Sequence, residues 1–73
     1  MKIHYDAEVD VLSIIFIDTT VSTKYLEKGI AVDYAEDGQL AGIEVLAATK
    51  QFGGKSTLQQ VVIEGLGLAS SGF

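Results

Sequence analysis

Residues Val9 to Ile17 read Val-Asp-Val-Leu-Ser-Ile-Ile-Phe-Ile, and this run constrains the fold more than any other feature of the chain. It is rich in Val, Ile and Phe, which suit a pleated, partly buried surface. Read at the two-residue period of a strand, it places Leu12, Ile14 and Phe16 on one face and Val11, Ser13, Ile15 and Ile17 on the other. Both faces are apolar, so the strand is expected to be central and covered from both sides. A chain of 73 residues makes one domain and has little else to cover it with. A helix on one face and a second subunit on the other is the expected solution.

Composition narrows the other ways of stabilising so small a core. There is no Cys, which removes disulfides, iron–sulfur clusters, cysteine zinc sites and thiol chemistry. A single His leaves no histidine-rich metal site within one chain. A hydrophobic fraction of 48% and a mean hydropathy of +0.33 favour association with a second copy. Ten carboxylates against five Lys and no Arg give a net charge of -5. That balance makes a poor phosphate-binding surface and suits a basic protein partner. The expectation is no nucleic acid and no membrane: no stretch reaches the ~20 apolar residues of a span. The N-terminal run Met1-Lys2-Ile3-His4-Tyr5-Asp6 carries charge where a signal peptide needs an apolar stretch, so a soluble, cytoplasmic chain is expected.

The remaining segments punctuate clearly. Residues 2–6 alternate as a strand, and Asp6-Ala7-Glu8 reads as a polar turn. A short edge strand is expected around Ser22 to Leu26, followed by a strand carrying Ile30, Val32 and Tyr34 on one side. Ala35-Glu36-Asp37-Gly38 is a hairpin signal, with Gly38 supplying positive φ. The return strand, Gln39 to Leu46, places Ile43 and Val45 on one face and Leu40, Gly42, Glu44 and Leu46 on the other. Gly42 in mid-strand signals a bulge or a close backbone approach. Ala47 to Gln51 starts a helical turn that Gly53-Gly54 stops. Ser56, with Gln59 three residues on, fits a capping box opening a helix over 56–64; Val61-Val62-Ile63 also fits a strand. The last five residues read as a flexible tail. The expected fold is α+β: an antiparallel three- to four-stranded meander over residues 1–50, and a C-terminal extension, 51–73, whose helix packs on one face. The expected core is Ile3, Leu12, Ile14, Phe16, Ile30, Val32, Ile43 and Val45.

Four groups of residues carry chemical interest. Asp6, Glu8 and Asp10 match the opening spacing of a calcium loop, but Val11 and Ile17 stand where that loop needs Gly and a bidentate Glu. The plain alternative is a solvated turn in which Asp6 accepts backbone N–H groups. His4 shares a strand face with Asp6, as an oriented base would, with Ser13 or Tyr5 as nucleophile by default. Gly54-Lys55-Ser56 matches the end of a phosphate loop, but Thr49 occupies the position of its first Gly. Asp33, Glu36, Asp37 and Glu44 form an acidic group around the hairpin that would suit docking of a basic protein. Asp33 and Glu44 are expected to face each other there.

The order of these pieces resembles the YuzE-like small bacterial proteins, a family of unknown function. The resemblance rests on Tyr5-Asp6-Ala7-Glu8-Val9-Asp10-Val11-Leu12-Ser13-Ile14, on Gly29-Ile30-Ala31-Val32-Asp33-Tyr34, and on Glu36 to Leu46 with Ala48 and Lys50. It covers residues 1 to about 50; Ser13 departs from the family's frequent Tyr. It implies a compact antiparallel sheet with a short helical end and brings no catalytic residues or cofactors. It also implies an antitoxin-like role for some members, as partners of small ribonuclease-type toxins. The expectation is therefore a non-catalytic homodimeric interaction module with a basic protein partner. The competing expectation is a small-ligand or divalent-metal-binding protein that uses the turn at Asp6, Glu8 and Asp10.

Overall fold

A computed structural model describes residues 1–65. Five strands form one antiparallel sheet: β1 (Lys2–Asp6), β2 (Val11–Ile15), β3 (Val21–Tyr25), β4 (Ile30–Ala35) and β5 (Leu40–Leu46). Their order across the sheet is β1-β2-β5-β4-β3. The sheet has one strand more than the largest number expected, and it is not a simple meander. The chain leaves β2, crosses the end of the sheet and lays β3 at the far edge, and β5 returns between β2 and β4. That insertion follows from composition: β5 holds Ala41, Gly42 and Val45, all buried, whereas β3 (Val-Ser-Thr-Lys-Tyr) is exposed throughout.

The register sorts the sheet into two faces. Ile3, Ile14, Ile43, Val32 and Lys24 lie in one cross-strand row. Tyr5, Leu12, Val45 and Ile30 form the next row on the same face. Seven of the eight expected core residues fall on this apolar face; the eighth, Phe16, lies just past the end of β2, outside the register. The opposite face carries the rows His4, Ser13, Glu44, Ala31, Tyr25 and Lys2, Ile15, Gly42, Asp33, Thr23. Leu40 departs from the alternation expected of it. The β4–β5 register slips between Asp33 and Tyr34, so Ala41 is an extra residue and Leu40 stands opposite Tyr34. The bulge resets the parity and puts Leu40 on the Ile43 face. The Ala41 carbonyl accepts the backbone N–H groups of Phe16 at 2.8 Å and Ile17 at 3.1 Å, which ties the crossing segment to the bulge.

The β4–β5 turn forms as its sequence directs. Gly38 has φ 88°, its N–H donates to the Ala35 carbonyl, and Asp37 accepts the Gln39 N–H at 3.0 Å. Helix α1 (Ala48–Phe52) follows β5 and stops at Gly53, φ 82°. The expected helix over 56–64 is a five-residue 3-10 helix, Lys55–Gln59, that then becomes extended. Gly54 rather than Ser56 occupies its N-cap position, with no side-chain cap bond. Two consecutive glycines ahead of it and the β-branched run Val61-Val62-Ile63 after it leave too short a helical segment to propagate. No long C-terminal helix therefore covers the sheet among the described residues. The tail expected over 69–73 lies outside them.

Candidate functional site

The clearest constellation is built around Asp10, a residue the sequence placed in a strand. It sits in the β1–β2 turn with φ 56°, a left-handed conformation that Asp tolerates better than most residues. Its backbone carbonyl accepts the Ala48 N–H at 2.9 Å. Its carboxylate accepts the Thr49 N–H, the Thr49 hydroxyl at 2.7 Å and the Tyr5 hydroxyl at 2.7 Å. These bonds, the Thr49 hydroxyl first and Tyr5 next, hold the Asp10 carboxyl below its ordinary range. Donation to Asp10 in turn raises the Tyr5 phenol. At the other end of α1, the Gln51 side-chain amide donates to the Lys28 carbonyl of the β3–β4 turn. Asp10 and Gln51 thus clamp α1 across one end of the sheet.

Two of the three carboxylates of the first turn, Asp6 and Asp10, have separate tasks. Asp6 accepts the Glu8 N–H at 3.0 Å, the turn role read from the sequence. Asp10 faces the helix. Among the described residues, no group of three or more His, Cys, Asp or Glu side chains converges as a metal-binding cluster.

A second constellation lies on the polar face. A depression of about 250 Å³ is lined by residues that include Ser13, Ile15, Asp18, Val21, Asp33 and Glu44. Asp33 is only 9% exposed, and the Thr23 hydroxyl donates to it at 2.6 Å. Asp33 stands opposite Gly42 and Glu44 opposite Ala31, so the two carboxyls are diagonal neighbours rather than a directly opposed pair. A hydrogen bond to Asp33 that only the protonated Glu44 carboxyl can donate, together with partial burial and the Asp33 charge, pushes the Glu44 carboxyl above its ordinary value. Glu36 and Asp37, the other acidic residues of this group, are exposed at the hairpin turn. His4 and Ser13 are direct cross-strand neighbours, with Glu44 next in the row.

The third feature is apolar. A groove of about 490 Å³ runs between the sheet and residues 52–61, lined by Ile3, Tyr5, Leu12, Ile14, Phe52 and Leu58 among others. Lys55 and Ser56 belong to the short 3-10 helix beside it, after Gly54 at φ 136°. None of the described helices is long and apolar enough to cross a membrane.

Asp33, Glu44 and the turn carboxylates were visible in the sequence as acidic residues, but Thr49 and Gln51 were not. Only their distance along the chain from Asp10 and Lys28 hid them, 39 and 23 residues respectively.

No curated protein and no solved structure matches the chain. The family model described as protein of unknown function (DUF2283) matches residues 2–48. The match begins at the first residue of β1 and ends at Ala48, the first residue of α1, one before Thr49 of the Asp10 clamp. The chain belongs to this family of unknown function.

Proposed function

We propose that the chain is a non-catalytic, homodimeric protein-interaction module whose acidic hairpin side receives a basic protein. The observation that carries this reading is the open core. Among the described residues no large side chain is fully buried, and the buried apolar ones are Ala31, Ala41, Ala48 and Val45. Ile3, on the apolar face, and Phe16, just past the end of β2, are 41% and 40% exposed. All five residues of β2, one strand in from the edge, are half-buried. A second copy would take further apolar surface out of water that the short helical segments leave exposed. Sedimentation at low micromolar concentration tests this: a dimer is expected, and a persistently folded monomer would overturn the reading.

The finer form of the proposal is an antitoxin-like partner of a basic ribonuclease-type protein. The net charge of -5 and the exposed Glu36 and Asp37 support it. Co-purification with the product of the adjacent gene, lost on reversing the charge at both positions, is the expected result. Co-purification unaffected by that reversal would remove the acidic hairpin from the proposal.

A further inference from the structure

We infer that two copies of this chain associate through β1, edge to edge and antiparallel, with the two-fold axis at His4. The inference rests on the homodimer reading above and names its surface. Among the described residues, strand β1 pairs only with β2, and no strand lies along its other edge. Its sequence, Lys2-Ile3-His4-Tyr5-Asp6, is complementary to itself when reversed. In the register centred on His4, Lys2 of each copy stands opposite Asp6 of the other, and Ile3 opposite Tyr5. Both Lys2–Asp6 pairs join opposite charges, and both Ile3–Tyr5 pairs join a β-branched residue with an aromatic, the combinations that favour cross-strand pairing. This register uses all five residues. It also keeps the apolar faces of both sheets on one side, because opposed residues share a face.

The two edges of the sheet are not equivalent. Ile3 and Tyr5 line the apolar groove, so a second β1 would bring the two grooves together as one apolar stripe. The opposite edge, β3, presents Ser22 and Lys24 on that same face. Pairing there would interrupt the stripe with polar groups, and a mid-strand Lys is a common guard against edge pairing.

The absence of native Cys makes a clean test possible. Directly opposed residues of an antiparallel pair have Cα atoms about 4.5–5.5 Å apart, within the range a disulfide spans. Full-length His4→Cys is expected to form a covalent dimer on mild oxidation, and Thr23→Cys, central in β3, is not. Lys2→Glu places like charges opposite Asp6 and is expected to weaken the dimer by roughly tenfold or more, most strongly at low salt. Circular dichroism checks that each variant keeps its sheet. If the wild-type chain sediments as a dimer while Thr23→Cys cross-links and His4→Cys does not, or neither does, the β1 interface is overturned and the dimer stands. If the wild type sediments as a folded monomer, both readings fall.

Discussion

Replacing Gly42 by Ala is a stringent test of the sheet's central joint, because two effects of opposite sign compete there. Gly42 lies in β5, opposite Ile15 of β2 on one side and Asp33 of β4 on the other. In a strand interior, Gly is about 0.5–1 kcal/mol less favourable than Ala, so the substitution would stabilise an unobstructed site. Here an added Cβ would lie 2.8 Å from the Ile14 carbonyl oxygen, 3.4 Å from Asp33 Oδ2 and 3.6 Å from the Ile15 Cα. The nearest atom is backbone and cannot rotate aside, so β2 must move away from β5. Overpacking of this kind costs about 1–3 kcal/mol. The clash outweighs the propensity gain, and a net loss of about 1–2 kcal/mol is expected. Urea unfolding followed by circular dichroism at fixed protein concentration reads it directly. With a slope on the order of 1 kcal/mol per M for so small a chain, the midpoint should fall by about 1 M or more. An unchanged or raised midpoint would refute the close approach of β2 to β5 and the bulge geometry that accompanies it.

Three further outcomes are expected. Asp10→Ala should release α1, seen as faster hydrogen exchange at the Ala48 and Thr49 amides. Because the native Asp10 carboxyl titrates below its ordinary 3.8, its contribution is present at neutral pH and is lost as pH falls through that lowered value. The acid-unfolding profile of the variant should therefore be flatter there, and an unchanged profile would count against the clamp. Glu44 behaves oppositely: its raised pKa favours the protonated form, so its contribution is full below its ordinary 4.5 and is lost as pH rises through the raised value. Glu44→Gln should stabilise the chain at neutral pH, on the order of 0.5 kcal/mol given its partial solvent exposure; a loss at pH 7 would contradict repulsion between Glu44 and Asp33. Finally, thermal midpoints should rise with protein concentration if folding and dimerisation are coupled, and a midpoint independent of concentration would separate them.

The face assignments were legible because they depend only on a two-residue period. Leu12 and Ile14 on β2, and Ile43 and Val45 on β5, needed no knowledge of strand order. Gly42 signalled an irregularity, but a glycine does not say on which side of itself the extra residue falls, and the inserted Ala41 reversed the facing of Leu40. The placement of β5 between β2 and β4 was not legible, since alternation is silent on which strands are neighbours. The acidic residues were visible as charges, yet their roles came from partners far along the chain. Asp10 reads as one of three spaced carboxylates until Thr49 is brought beside it.

The centre of the sheet explains why the open faces matter energetically. Close strand approach at Gly42 and the bulge at Ala41 require small residues, and Ala31 and Ala48 fill the adjoining buried positions. Small side chains allow the β2-β5-β4 joint to close, but they bury little apolar area. The larger residues Leu12, Ile14, Ile30, Val32 and Ile43 surround that joint and remain half-buried. Full burial of such a side chain contributes about 1.5–3 kcal/mol. Leaving a part of each of these five exposed forgoes roughly 1–5 kcal/mol, which matters against the 5–15 kcal/mol that holds a typical domain folded. The Asp10 clamp positions α1 at the end of the sheet without covering the middle of this face. Edge pairing through β1 would extend the apolar face and bring further apolar side chains against Ile3 and Tyr5. A second copy paired there thus adds cover at the β1 end of the apolar face, where Ile3 is 41% exposed.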